Sequence, residues 1–308
     1  MVSFAQRMIN ARVRYLEKPL IACVTHQPSL RWVSGIYARF AYKTQSDMQF
    51  TRTRLGHGGL SVPAVWCDQG TPHRNGVILY LHGGAYTVGG AASHKQLAAR
   101  LAGVCGLRAV LPEYRLAPEY PFPAGLDDAF TAYHALLAKG YEGGHIVLAG
   151  DSAGAGLAYA LLLRILGGDL PKPRCVIAIS PWADMQFTSP TFQDNKRAEM
   201  MLPHSWLKRA RRMYLAGDDP ASPFVSPING DFTGAPPSLI LIGGEEVLLG
   251  DAHKMAARLE QDGVEVALIV QPDVPHIWPM HFGQSAESDR AIDDIARFTR
   301  SQFNTPSA

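Results

Sequence analysis

Residues 146–154 read Ile-Val-Leu-Ala-Gly-Asp-Ser-Ala-Gly, and this stretch decides the fold. Its first four residues form an apolar run typical of a buried strand, and an apolar helix pattern begins at Ala153. The last five residues match Gly-x-Ser-x-Gly, a sharp strand-to-helix turn that lifts the serine hydroxyl away from the sheet. Side chains at Gly150 and Gly154 would collide with the neighbouring strand and helix. The motif in this context predicts that Ser152 is a nucleophile.

Apolar runs alternate with helix patterns on both sides of this turn, which predicts an α/β protein with a mostly parallel sheet flanked by helices. The predicted core strands cover residues 77–81, 107–111, 146–149, 175–179, 239–242 and 264–270. The predicted helices between them cover residues 93–102, 127–139, 153–166, 251–261 and 289–303. Residues 49–54 and 60–66 should form an antiparallel edge of the sheet.

Two segments fall outside this alternation, residues 1–45 and residues 185–230. Both show apolar side chains at helical spacing, so we expect them to form a helical cap over the carboxyl ends of the strands. The catalytic domain would then comprise residues 46–184 and 231–308. The apolar positions that predict these cap helices are Trp32, Ile36, Tyr37 and Phe40 in the first segment, and Trp206, Ala210, Met213 and Tyr214 in the second.

His82-Gly83-Gly84-Ala85 directly follows the first predicted core strand. A glycine pair lets bare backbone N–H groups approach a substrate oxygen, and each such donor contributes a factor of about 10²–10³ in rate. A generic glycine-rich turn and a phosphate-binding loop are the alternatives. Phosphate binding is disfavoured because neither the Walker lysine spacing nor Gly-x-Gly-x-x-Gly is present. The position upstream of Ser152 favours an oxyanion hole.

The acid and the base should follow the last two core strands, because the chain order at such a turn is serine, acid, histidine. His276 follows the last strand and is the predicted base, whereas His281 lies farther from the strand end. Glu245, Glu246 and Asp251 all follow the strand before it. We favour Glu246, because Asp251 has the position of a helix N-cap or first-turn residue.

The chain has 308 residues with 29 basic and 27 acidic side chains, a formal net charge of +2. The net charge of the whole protein is too small to indicate binding to nucleic acid or to an anionic membrane. The four cysteines lack metal-ligand spacing, so we expect neither a disulfide framework nor a metal site. Arginines interrupt the N-terminus, which excludes a secretory h-region, and no apolar run reaches membrane-spanning length. A cytoplasmic protein is the expectation.

Three blocks of sequence resemble the hormone-sensitive-lipase-like family of α/β-hydrolases, the bacterial family IV esterases. They are residues 82–86 (HGGAY), 114–124 (YRLAPEYPFPA) and 150–154 (GDSAG), and the resemblance covers roughly residues 75–300. The resemblance implies an α/β-hydrolase fold with an N-terminal cap, an oxyanion hole formed by Gly83, Gly84 and Ala153, and His276 as base. It implies no metal or organic cofactor.

This chain departs from the family pattern at three positions. Ala85 replaces a usual third glycine, and alanine is tolerable there provided that its φ is negative. Glu113 replaces a usual aspartate. Glu246-Val247-Leu248 replaces a frequent Asp-Pro-Leu, which aligns Glu246 with the family's triad acid.

The predicted reaction is hydrolysis of short to medium acyl esters by a Ser-His-Glu triad through an acyl-enzyme. An amidase or lactonase could use the same triad. A non-catalytic small-molecule receptor is disfavoured because the catalytic histidine is present. A homodimer is suggested only by the family resemblance. Candidates to line the substrate pocket are Tyr86, Trp182, Met201, Trp206 and Trp278, together with Trp32 and Tyr37.

Overall fold

The computed structural model describes residues 2–24, 26–72 and 75–304. A twisted sheet of eight strands has the order β1-β2-β4-β3-β5-β6-β7-β8. The pairs β1–β2 and β2–β4 are antiparallel, and all other pairs are parallel. The strands are β1 Met48–His57, β2 Leu60–Gln69, β3 Val77–Leu81, β4 Arg108–Pro112, β5 Ile146–Asp151, β6 Cys175–Ile179, β7 Ser238–Gly243 and β8 Val266–Gln271.

Helices cover both faces of this sheet, as the predicted mostly parallel sheet requires. Five lie along the α/β part of the chain: α4 Ala91–Cys105, α5 Ala124–Ala138, α6 Ala153–Gly167, α9 Leu249–Gln261 and α10 Ala286–Asn304. The others are α1 Phe4–Arg12, α2 Lys18–Cys23, α3 Gln27–Ala41, α7 Thr191–Asp194 and α8 His204–Leu215, with a π-helical turn, Val13–Glu17, between α1 and α2.

The central strand β3 shows how the sheet separates two cores. Leu79 and Leu81 belong to an apolar cluster that includes residues of α5, α6 and α9. Ile78 and Tyr80 belong to a second cluster with residues of α4 and α10. Successive side chains of a strand point to opposite faces, so a strand buried on both sides reads as one unbroken apolar run.

The predicted α/β fold with a flanked, mostly parallel sheet is confirmed, including the antiparallel edge. Strand ends differ slightly from the apolar runs. The last strand begins at Val266 rather than at residue 264, because its pairing with β7 starts at Ser238 and Val266. None of the helices in the described part of the chain is both long and apolar enough to cross a bilayer.

Candidate active site

Ser152 occupies the tight turn between β5 and α6. Its backbone has φ of +53° and ψ of −122°, a region that residues other than glycine adopt only when their surroundings hold them there. The Ser152 amide donates to the carbonyl of Ile179 at 2.8 Å, and its carbonyl accepts from the Trp182 amide at 3.0 Å. A Cβ at Gly154 would lie 2.0 Å from the carbonyl oxygen of Leu81. The turn therefore depends on glycine two residues after Ser152.

His276 and Glu246 form a buried pair at the carboxyl ends of β8 and β7. Nδ1 of His276 lies 2.5 Å from Oε2 of Glu246. The other oxygen, Oε1, accepts hydrogen bonds from the Ser180 hydroxyl and the Gly243 amide, each at 2.7 Å. This carboxylate is thus fixed at both oxygens, and the pairing at Nδ1 leaves Nε2 of His276 for other partners.

The other two candidate acids have different partners. Oδ2 of Asp251 accepts hydrogen bonds from the amides of Ala183 and Asp184, each at 3.0 Å. Burial, together with the carboxylate of Asp184, raises the pKa of Asp251 well above its ordinary value. Glu245 accepts from the Asp273 amide at 2.8 Å. Among the residues that the structure describes, Glu246 alone of the three candidates pairs with the histidine.

Ser152 and His276 border one cavity of about 120 Å³. No hydrogen bond joins their side chains to each other within the described residues. In enzymes without substrate such contacts are commonly long and tighten when substrate binds. The shared cavity brings the serine, the histidine and Gly84 to one space that a small ligand could enter.

The ionisation of His276 is set by two opposing effects. Burial lowers its pKa, but the charge and hydrogen bond of Glu246 act in the other direction, and the pKa ends above the ordinary value of 6.5. A base with a raised pKa holds an abstracted proton more firmly, as a group that accepts the serine proton must.

Glu199 is a second buried carboxyl near this pair, and the sequence did not identify it. One oxygen accepts from the amides of Met201 at 2.7 Å and Leu202 at 3.1 Å, and the other from the Val247 amide at 3.0 Å. Burial and the charge of Glu246 raise its pKa. Glu199 thereby ties the 185–230 segment to the loop that carries Glu246.

Gly83 differs from the expectation of an oxyanion donor. Its amide donates to Oδ1 of Asp151 at 3.1 Å, and the same oxygen accepts from the Tyr80 hydroxyl at 2.7 Å. The other oxygen of Asp151 lies 3.3 Å from Nε2 of His94. The Gly83 amide is therefore already engaged, and Asp151 joins the serine turn to the glycine loop.

Three amides near Ser152 make no hydrogen bond within the described part of the chain, those of Gly84, Ala85 and Ala153. Gly84 has φ of +113°, and a Cβ there would lie 2.3 Å from the Val88 carbonyl oxygen. The φ of Ala85 is +52° and not negative as expected, so this loop holds alanine in the left-handed region. Ala153 is the first residue of α6, where a helix leaves its amides unpaired.

Two of the predicted lining residues, Met201 and Trp206, border the cavity. Tyr37 borders it as well, and its hydroxyl donates to Glu17 at 2.5 Å. Burial raises the pKa of that Glu17 carboxyl. Further lining residues that the sequence did not identify are Leu20, Ile21, Leu30, Ser34, His94, Leu202, Ile277 and Met280.

The remaining predicted lining residues lie elsewhere. Tyr86 stacks on Tyr214 with ring centroids 3.7 Å apart. Trp182 is fully buried in the core on the α6 side of the sheet, and Trp278 is buried in the core on the opposite side. Trp32 points to solvent with 69% of its surface exposed. Aromatic spacing indicates an apolar environment but does not distinguish a packed core from a cavity wall.

No group of three or more His, Cys, Asp or Glu side chains in residues 2–24, 26–72 and 75–304 is arranged to hold a metal ion. No disulfide joins any of the four cysteines, all of which lie in the described part of the chain, and three of them are buried.

Residues 78–280 match the family model described as the alpha/beta hydrolase fold. The chain is 40% identical over 223 residues to an acetyl-hydrolase of Streptomyces hygroscopicus, covering 72% of this chain and 75% of that protein. It is 34% identical to an esterase of Acinetobacter venetianus, covering 73% and 75% of the two chains.

Solved structures are similar over almost the full length. One is an esterase from the bacterial hormone-sensitive lipase family, with a TM-score of 0.91, 33% identity, and coverage of 98% of this chain and 99% of that chain. Another is EstE5 soaked with p-nitrophenyl butyrate, with a TM-score of 0.91, 32% identity, and coverage of 98% and 100%.

Proposed function

Since the chain belongs to the bacterial hormone-sensitive-lipase branch of the α/β-hydrolase family and is an esterase, we propose that it hydrolyses short to medium acyl esters by a catalytic triad. The triad is Ser152 as nucleophile, His276 as base and Glu246 as acid. The observation that carries this proposal is the buried His276–Glu246 pair, whose histidine borders the same cavity as the strained serine turn.

The reaction proceeds in two acyl-transfer steps. Oγ of Ser152 attacks the ester carbonyl while Nε2 of His276 takes its proton, and that proton then passes to the leaving alcohol. Water, activated by the same imidazole, attacks the acyl-enzyme and releases the carboxylic acid. Glu246 holds the imidazole through Nδ1 and stabilises the imidazolium that forms in each step.

The negative charge that develops on the carbonyl oxygen needs backbone donors. We assign them to the amides of Gly84 and Ala153, as the sequence predicts, and to Ala85 in place of Gly83. The support for this change is that the Gly83 amide already donates to Asp151, whereas the Ala85 amide has no partner in the described chain.

The size and lining of the cavity support a short acyl group. An apolar cavity of about 150 Å³ accepts a benzene-sized molecule, so the volume of about 120 Å³ fits a chain of a few carbons. Its walls come from residues in both segments proposed as a cap, residues 1–45 and 185–230, set over the catalytic domain of residues 46–184 and 231–308. Two of the similar proteins agree with this substrate class, namely the acetyl-hydrolase and the esterase soaked with p-nitrophenyl butyrate. A cytoplasmic location and a homodimer stay predictions.

Ser152→Ala tests the proposal. This variant should lose on the order of 10⁴-fold or more of its activity on p-nitrophenyl butyrate, with an unchanged thermal transition as the control for folding. Turnover at the wild-type rate would remove Ser152 from the nucleophile role. Parallel assays on an anilide and a lactone of the same acyl chain would distinguish the esterase from an amidase or lactonase.

A further inference from the structure

The N-terminal helical segment presents an apolar face to solvent. The helix α1, the π-helical turn and α2 run without a break from Phe4 to Cys23, because the residues at both junctions keep right-handed helical angles. Ten residues of this segment are exposed, and Arg7 is the only one of them with a charge. The large exposed side chains are Phe4 (71%), Met8 (57%), Tyr15 (72%), Leu16 (65%) and Leu20 (38%).

Apart from Arg7, polar residues of the same segment are bound to the rest of the protein. Asn10 donates to the carbonyl of Asp273 at 2.8 Å, and the Arg14 guanidinium donates to the carbonyl of Ala198 at 2.7 Å. The Lys18 ammonium donates to the Glu199 carbonyl, also at 2.7 Å. A surface helix of a water-soluble domain ordinarily has the reverse arrangement. Five large exposed apolar side chains on one helical segment indicate an interaction surface for a protein, a membrane or a ligand.

This face is continuous with the entrance of the cavity at Ser152. Leu20 both belongs to the exposed face and lines the cavity, and it is the one exposed residue among those that line it. The helix α3, which lines the same cavity through Leu30 and Ser34, exposes Trp32 (69%) and Phe40 (86%). Whatever covers the apolar face therefore lies at the mouth of the cavity.

Charge favours a lipid surface as the occupant. Residues 4–23 contain Arg7, Arg12, Arg14 and Lys18 against the single acidic residue Glu17, which gives four minus one, or +3. Glu17 is buried, so no acidic side chain is exposed on this segment. The near-neutral balance of the whole chain conceals this local excess. Arg7 is exposed on this segment, and Arg12, Arg14 and Lys18 are half-buried in it. A net positive charge in a helix that exposes an apolar face attracts that helix to an anionic bilayer surface. A second copy of the chain on this face would cover the entrance.

We infer that the exposed face of residues 4–23 is a docking surface for an anionic lipid interface. The helix lies in the plane of the interface, with its aromatic and aliphatic side chains among the lipids and the cavity entrance facing the lipid. This inference does not depend on the proposed triad, because binding can be measured without turnover.

Flotation with phospholipid vesicles tests the inference on the full chain. The wild type should bind vesicles of phosphatidylglycerol and phosphatidylcholine, bind phosphatidylcholine alone much less, and lose part of its binding at high salt. The double variant Met8→Ser with Leu16→Ser should bind the anionic vesicles at least about tenfold more weakly. Leu60→Ser with Phe224→Ser removes two exposed apolar side chains elsewhere and is the matched control. It should bind like the wild type.

Two variants that each remove one exposed positive charge test the electrostatic part of the inference. Arg7→Ala should weaken binding to the anionic vesicles about fivefold, whereas Arg297→Ala, also exposed, should not. Ser152→Ala should bind like the wild type, which separates docking from catalysis. Absence of vesicle binding by the wild type would overturn the inference, as would equal binding by the two double variants. A wild-type dimer that Met8→Ser with Leu16→Ser dissociates, without vesicle binding, would show instead that the face joins two copies.

Discussion

At the scale of single residues, Glu246 on the loop after β7 and Asp251 in the first turn of α9 show that two carboxyl groups close in the chain can have unrelated tasks. Glu246 contacts the imidazole of His276. Asp251 instead accepts hydrogen bonds from two backbone amides in the segment that follows β6. The raised pKa of Asp251 keeps that group neutral over more of the pH range than an ordinary aspartate. An amide of the same shape should therefore replace Asp251 far more easily than Glu246.

We predict that Glu246→Gln lowers kcat on p-nitrophenyl butyrate by a factor on the order of 10⁴, since an uncharged partner neither fixes the productive tautomer nor stabilises the imidazolium. Asp251→Asn should keep kcat within about threefold of the wild type, because the amide oxygen can accept the same backbone hydrogen bonds. Steady-state kinetics of both variants, with thermal melts for folding, checks this. A large loss in Asp251→Asn alone would reverse the assignment.

The raised pKa of His276 gives a prediction for pH dependence. The base must be neutral to accept the serine proton, so activity should fall as the pH falls through the pKa of His276. Burial alone would lower that pKa and Glu246 raises it, so the acidic limb of kcat/KM should have an apparent pKa above 6.5. In Glu246→Gln the opposing charge is gone, and the residual activity should show this limb at lower pH. An unchanged limb in that variant would contradict the role of Glu246.

At the scale of elements, the junction of β5 and α6 sets the position of the nucleophile. A Cβ at Gly154 would lie 2.0 Å from the Leu81 carbonyl oxygen, and one at Gly150 would lie 2.5 Å from backbone atoms of Gly154. Both contacts involve main-chain atoms of the sheet or helix, which cannot rotate away as a side chain does. The close approach of α6 to β3 is therefore possible only with glycine.

We predict that Gly154→Ala destabilises the protein by about 1–3 kcal/mol or more, because the helix must move away from the sheet. Gly167→Ala is a matched control at the other end of α6, where an added Cβ meets no atom within 4 Å. That change should stabilise the protein by about 0.5–1 kcal/mol through helix propensity. Denaturant unfolding of both variants measures the difference, and equal stabilities would contradict the packing argument.

The junction of β5 and α6 shows which features can be predicted from local sequence patterns and which cannot. Core strands buried on both faces are unbroken apolar runs. Their order along the chain places Ser152, Glu246 and His276 after the carboxyl ends of β5, β7 and β8. The side-chain contact of Asp151 with the Gly83 amide joins residues that lie far apart in the chain, so no local pattern indicates that this donor is occupied. The walls of the cavity are equally non-local, because they come from α2, α3, α8 and the loop after β8.

At the scale of the whole molecule, the cavity forms where the N-terminal helices and the 185–230 segment meet over the sheet. Glu199 holds Met201 and Leu202 in this wall and also holds the amide next to Glu246. One side chain thus connects this wall of the cavity to the loop that carries the proposed acid. We expect substitutions of the wall itself to change the choice of substrate more than the chemical step.

Met201→Ala tests whether the wall of the cavity controls the choice of substrate rather than the chemical step. Removing this half-buried side chain enlarges the cavity. Longer acyl chains should then gain binding energy, about 1–3 kcal/mol for each methylene that becomes accommodated. The ratio of kcat/KM for p-nitrophenyl octanoate to that for p-nitrophenyl butyrate should rise at least about tenfold. Met213→Ala is the matched control, since Met213 lies on α8 and does not line the cavity. If both variants keep the wild-type ratio, Met201 does not limit the acyl chain, and the limit on chain length lies in another wall of the cavity.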